Sequence, residues 1–270
     1  MYSETIEGFA KLADRKVAAL RRSPGGFFVA SMLAGAYVGL GIILIFTLGN
    51  PLPQEVQKLV MGATFGIALT LVVIAGAELF TGHTMFMALR GYAGKGTLSD
   101  IAASWGMTWF GNLAGSLALV ALFAAGGGGG LLSSPDTLVM KIAAAKMNAP
   151  AVALVAKAIL CNWLVCLAIW MSARVDSDTA KCIVIFWCLF AFIASGFEHS
   201  VANMTLLGLA MAGNHPESVS IAGFAWNLAW VTLGNAIGGA VFVAGAYHVS
   251  TYGLPTGREL AGKAAALGDD

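Results

Sequence analysis

Charge is scarce in this sequence. Of its 270 residues, 11% are Asp, Glu, Lys or Arg, where a soluble domain carries about a quarter. That shortage excludes an ordinary water-soluble fold. The near balance of 15 basic and 14 acidic residues, a net charge of +1, gives no reason to expect a nucleic-acid partner. Cysteine is sparse as well. Cys161, Cys166, Cys182 and Cys188 sit inside apolar stretches with no metal-ligand spacing, so they read as packing residues, and neither a disulfide nor a metal is expected. The chain contains no HExxH pair, no catalytic Ser-Lys or paired-Asp motif and no redox-cofactor site, which argues against an enzyme and against a cofactor. The first 22 residues also lack the long apolar core of a signal peptide.

What the chain has in quantity is apolar sequence: 58% of residues are hydrophobic and the mean hydropathy is +0.80. Uncharged runs at 23–54, 59–77, 101–135, 158–173, 182–197 and 218–247 predict six spans of an all-α polytopic membrane protein. Eleven basic residues fall on the N-terminal side of the spans and three, Lys58, Lys141 and Lys146, on the other. Both termini are therefore expected in the cytoplasm. Ile6, Phe9, Ala13, Val17 and Leu20 recur at helical spacing among charges and predict an amphipathic helix over 1–24. It is expected to lie on the bilayer interface as an anchor rather than a gate, ended by Pro24-Gly25-Gly26. A six-helix channel domain is expected over 25–250 and a short, disordered cytoplasmic tail over 251–270. The 34 glycines suggest closely approaching helices, and Gly126 to Gly130 a mobile outer loop.

Two segments are too long. From Cys182 to Gly213 the chain runs 32 residues with Glu198 and His199 in its interior. A straight helix of that length would measure about 48 Å, against a hydrocarbon core of about 30 Å. Ser195 and Gly196 mark the expected break. Leu59 to Leu89 is similarly overlong and holds Glu78, Leu79, Phe80, Thr81, Gly82 and His83, so it too should break, at Glu78 to Gly82. Glu78 precedes Asn112 of Gly111-Asn112-Leu113-Ala114-Gly115 by 34 residues, and Glu198 precedes Asn235 of Gly234-Asn235-Ala236-Ile237-Gly238 by 37. Two three-helix halves, about 25–130 and 131–250, are implied, inverted with respect to each other, with broken, re-entrant helices meeting near the midplane. Channels and transporters are built this way. Thr81, Ser195, Ser200, Asn203 and His199 can all donate hydrogen bonds, which suits an anion better than a cation. Glu78 and Glu198 are expected to be structural, accepting bonds from backbone N–H groups at the breaks or from neighbouring donors. His199 is able to exchange a proton near neutrality. Phe65, Leu69 and Phe192 are candidates for apolar constrictions.

The segments AGAYVGLGIILIFTLGN (34–50), GATFGIALTLVVIAGAELFTGHTMF (62–86), CNWLVCLAIWM (161–171), AFIASGFEHSVANMT (191–205) and VTLGNAIG (231–238) resemble the formate/nitrite transporter family, and its nitrite branch most closely. The resemblance implies an aquaporin-like protomer with a bent second and a broken fifth helix, assembled as a homopentamer in a bacterial inner membrane, each copy with its own pore. It implies nitrite as substrate, with formate or related weak-acid anions alongside. It also places the central histidine at His199, its neighbouring carboxylate at Glu198 and the loop threonine at Thr81. The constrictions fall at Phe65, Leu69, Leu79 and Phe192, the vestibule lysine at Lys146, and two asparagines at Asn162 and Asn235. On this basis Lys146 is expected to concentrate anions, and His199 to give a hydrogen bond or a proton to nitrite while Thr81 holds its second oxygen. A proton-coupled secondary transporter is the alternative.

Overall fold

The computed structural model describes residues 2–254, all helix, turn and coil; most of the expected tail, from 255 onward, lies outside the described residues. The elements are α1 (Ser3–Arg22), α2 (Pro24–Gly49), α3 (Gln54–Gly76), α4 (Phe80–Tyr92), α5 (Leu98–Ala125), α6 (Leu138–Met147), α7 (Ala151–Ser172), α8 (Asp178–Ala194), α9 (Ser200–Ala212) and α10 (Ile221–Tyr252). Five of these, α2, α3, α5, α7 and α10, are long and apolar enough to cross a membrane. The other apolar helices, α4, α8 and α9, are shorter, 13, 17 and 13 residues. They flank the two interruptions.

Local sequence explains most boundaries. Ser23 caps α2 by accepting the Gly26 N–H at 3.3 Å, with Pro24 in the first turn, where its missing N–H costs nothing. Thr97 and Asp100 form a reciprocal capping box at the start of α5. The six-residue π-helical stretch Leu71–Gly76 closes α3, and an eight-residue one, Gly238–Gly245, lies inside α10. The Gly126 to Gly130 run forms a tight turn and a single 3₁₀ turn over Gly129–Leu131, which carries Leu131 into the core.

Glycine sets the helix spacing at two places. A Cβ on Gly115 of α5 would lie 1.9 Å from the Met32 carbonyl oxygen of α2, and one on Gly238 of α10 would lie 2.6 Å from the Ile159 carbonyl of α7. Backbones touch there, as small-residue membrane interfaces allow.

The first helix departs from expectation. Its apolar stripe is present, but Ile6, Phe9, Ala13 and Val17 join Met85, Phe86, Leu89, Trp170 and Val243 in one buried cluster. Phe9 stacks on Phe86 and Trp170 at centroid distances of 5.4 and 5.7 Å. The chain's own aromatic surface, rather than lipid, covers the stripe that periodicity assigned to the bilayer interface. Arg21 and Arg90 pair with Asp100, and Arg90 also pairs with Asp14, tying α1 to α4 and α5. The opposite end of α2 holds α6, whose Leu138 N–H donates to Asn50 Oδ1 at 3.0 Å. α1 and α6 thus sit at opposite ends of α2.

Candidate functional site

The two interruptions are built alike. Each begins at a glycine with positive φ, Gly76 at 84° and Gly196 at 70°, a conformation that a side chain would strain. Each continues through a residue to a glutamate, Glu78 and Glu198. The expected break glycine Gly82 lies instead inside α4, and Ser195 closes the last turn of α8.

Broken helices leave backbone groups without partners, and two asparagines supply them. Asn112 Oδ1 accepts the Phe80 N–H at 2.9 Å, while its amide donates to the Glu78 and Ser31 carbonyls at 2.9 and 2.8 Å. Asn235 Oδ1 accepts the Ser200 N–H at 2.8 Å, while its amide Nδ2 donates to the Glu198 and Ala158 carbonyls at 3.0 and 2.8 Å. The Glu78 N–H goes to the Ala30 carbonyl and the Glu198 N–H to that of Lys157. The asparagines therefore do for the backbone what was expected of the glutamates.

The carboxylates face side-chain donors. Glu198 Oε2 accepts from Lys146 Nζ at 2.6 Å and Asn203 Nδ2 at 2.7 Å. Glu78 Oε2 accepts from Lys16 Nζ at 2.5 Å and sits 2.6 Å from His83 Nε2. Lys146 comes from α6 and Lys16 from α1, so one lysine–glutamate pair faces the α6 side and the other the α1 side. Both lysines are mostly but not wholly buried.

Beside the interruptions lies His199. Its Nδ1 accepts the Ala202 N–H at 3.1 Å, so the ring caps α9. A nitrogen that accepts carries no proton, which leaves the hydrogen of the neutral ring on Nε2. Nε2 is 3.1 Å from Thr81 Oγ1 and therefore donates to it. Phe192 stacks on the imidazole at 5.9 Å, and Phe65 meets Phe192 edge-on at 5.4 Å. A cavity of 130 Å³ on the α6 side is lined by Lys58, Lys146, Phe46, Phe192, His199 and Asn203, among others.

The structure thus brings Lys146, Glu198, His199, Phe192, Phe65 and Thr81 together. Leu69 and Leu79 are buried in the same apolar core as the two phenylalanines. Asn162 and Asn235 are fully buried. The Asn162 amide donates to Thr84 Oγ1, the Thr81 carbonyl and the Asn235 carbonyl at 2.9, 3.2 and 2.6 Å. It braces the loop that carries Thr81. Sequence reasoning gave no site role to Lys16, His83 or Asn112. The signal for His83 was a register of Gly76, Glu78 and His83 against Gly196, Glu198 and Asn203, and that for Asn112 was its match to Asn235 in the repeat; nothing in the sequence pointed to Lys16.

A family model described as formate/nitrite transporter matches residues 3–249. The nitrite transporter NirC of Escherichia coli (strain K12) is 55% identical over 251 residues, 93% of this chain and 93% of that protein. A solved FNT family ion channel superposes with a TM-score of 0.89 at 53% identity, covering 94% of this chain and 100% of the other. A pentameric formate channel with formate bound superposes with a TM-score of 0.72 at 29% identity, covering 86% and 98%. With two interrupted helices meeting at a capped histidine, and with matches running nearly end to end, the chain belongs to the formate/nitrite transporter family.

Proposed function

We propose that this chain conducts nitrite across a bacterial inner membrane as a facilitative channel, with formate as a related substrate. A relative named as a nitrite transporter, similar over almost its full length, supports the first, and a formate-bound structural neighbour the second. In this reading the chain crosses six times, α3–α4 and α8–α9 each forming one re-entrant crossing. Residues 25–130 and 131–250 are inverted halves, and α1 covers the cytoplasmic end, where both termini lie. Five copies assemble, each with its own pore, as the pentameric neighbour suggests.

The mechanism rests on one observation: His199, capped at Nδ1, offers a donor at Nε2. Lys146 draws anions into the cavity. Phe65, Phe192, Leu69 and Leu79 then oppose entry, since a bare charge at the bilayer centre costs at least about 2.5–3.5 kcal/mol. His199 Nε2–H bonds one nitrite oxygen and the Thr81 hydroxyl holds the second, while Asn162 and Asn235 keep both loops in register. A ring whose Nδ1 holds a backbone N–H cannot take a second proton without breaking its cap. That favours conduction over proton-coupled transport.

Nitrite currents in liposomes, with and without an opposing pH gradient, test this. The reversal potential should track nitrite alone, and His199→Ala should lower conductance roughly tenfold or more, the worth of a hydrogen bond to a charged group. Unchanged conductance in both His199→Ala and His199→Phe, or a reversal potential that moves with the pH gradient, would overturn it.

A further inference from the structure

The cavity on the α6 side is lined by two lysines, Lys146 of α6 and Lys58 of α3, and by no carboxylate among the described residues. The two cations are not alike. Lys146 Nζ is held 2.6 Å from Glu198 Oε2, and the pair is largely buried, at 17% and 5% side-chain exposure. Lys58 is exposed and makes no ion pair among the described residues. Glu55, three residues before it on α3, is exposed as well and forms none with it.

The difference decides which charge an anion in water feels. Opposite charges in contact act at a distance as a dipole, whose potential falls off faster than that of a single charge. An approaching anion therefore meets Lys146 and Glu198 as a nearly neutral pair and feels the ammonium of Lys146 only at close range. His199, with its Nδ1 holding the Ala202 N–H, is neutral, and Asn203 carries no charge. Among the described residues that line the cavity, Lys58 supplies the uncompensated positive charge. The rest of the wall is mostly apolar, with Ile42, Phe46, Phe192 and Leu206 in it, and low-dielectric walls focus the field of a charge set among them.

We infer that Lys58 sets the anion-attracting potential of the α6-side mouth, and with it the preference of that mouth for small anions over cations. Lys146 then acts on an anion already inside. The inference rests on the reading that the chain conducts small anions.

The test uses the full chain in liposomes, with nitrite supplied on the α6 side well below saturation. At an ionic strength of about 0.02 M, Lys58→Gln should lower flux roughly two- to fivefold, the effect of one charge acting across several ångströms of mostly aqueous space. The change should fall on the half-saturating nitrite concentration rather than on the maximal flux, and Lys58→Arg, which keeps the charge, should reverse it. Raising the ionic strength to about 0.3 M should bring wild-type flux down toward that of Lys58→Gln, because screening removes what Lys58 supplies. Lys141→Gln, an exposed position on α6 outside the cavity lining, serves as the control. Wild-type flux and salt dependence in Lys58→Gln overturn the inference, and so does an equal fall in Lys141→Gln.

A second measurement reads the potential without transport. Ile142→Cys puts a thiol on the cavity wall, and its rates of reaction with an anionic and a cationic methanethiosulfonate reagent are compared in the detergent-solubilised chain. Cys161, Cys166 and Cys188 are buried and Cys182 is half-buried; the chain without Ile142→Cys gives their background. Adding Lys58→Gln should lower the anionic-to-cationic rate ratio about fourfold or more, since the two reagents respond to the lost charge in opposite senses. An unchanged ratio overturns the inference. A ratio that falls in a chain without nitrite flux counts against the transport reading alone.

Discussion

Asn112 and Asn235 are the residues on which the two interruptions depend. Each accepts from the second N–H after a glutamate and donates to that glutamate's carbonyl. Removing either amide leaves a buried N–H and two carbonyls without partners, at roughly 1–3 kcal/mol per group. Asn112→Ala and Asn235→Ala should each lower the melting temperature of the detergent-solubilised protein markedly, whereas Asn148→Ala, an exposed residue that binds the Ala144 and Ser218 carbonyls, should do so far less. Comparable melting of all three would contradict this account. Both asparagines were visible in the sequence as repeat markers, but which backbone atoms they bind was not, because composition does not say which helices approach. Gly82 illustrates the same limit. Several glycines lie near each interruption, and only backbone geometry tells that Gly76 and Gly196 take positive φ.

Helix length was the most readable property at the scale of elements. Two runs exceeded what the hydrocarbon can hold, and the chain interrupts both of them close to the expected glutamates. Periodicity was less complete. It identified the apolar stripe of α1 but not what covers it, since a 3.6-residue pattern is the same whether lipid or protein lies opposite. Lys16 escaped for a related reason: its partner Glu78 is 62 residues away. Close packing of α2 on α5 was legible only as glycine richness. Gly115→Val should force these helices apart, because the added carbon meets the Met32 backbone and no side chain can yield. Loss of folded yield is expected, against near-normal yield for Gly106→Val, where the added Cβ would meet nothing within 4 Å.

The molecule as a whole shows two lysine–glutamate pairs, one facing the α1 side and one the α6 side, and a capped imidazole beside the interruptions. Large apolar side chains remain on its outside, among them Leu122 at 72%, Trp187 at 61% and Val152 at 82% exposure. Lipid and neighbouring copies are the surfaces that suit such residues. In the proposed assembly, native mass spectrometry from mild detergent should give five chains per particle; a stable monomer that still conducts nitrite would contradict it. Oligomeric state was never legible from composition or spacing and entered only through resemblance.

The placement of the two bracing asparagines also bears on how the chain is made. Asn112 lies on α5 and serves the interruption between α3 and α4, and Asn235 lies on α10 and serves the one between α8 and α9. Each interruption is therefore satisfied by a helix synthesised soon after it. The ribosome can deliver residues up to the Gly126 turn as a unit whose internal polar groups at the break are already matched, and the later residues as a second. The contacts around Thr81, Asn162 and His199 wait for the two to meet, as do the Leu138–Asn50 hydrogen bond and the Phe65–Phe192 contact.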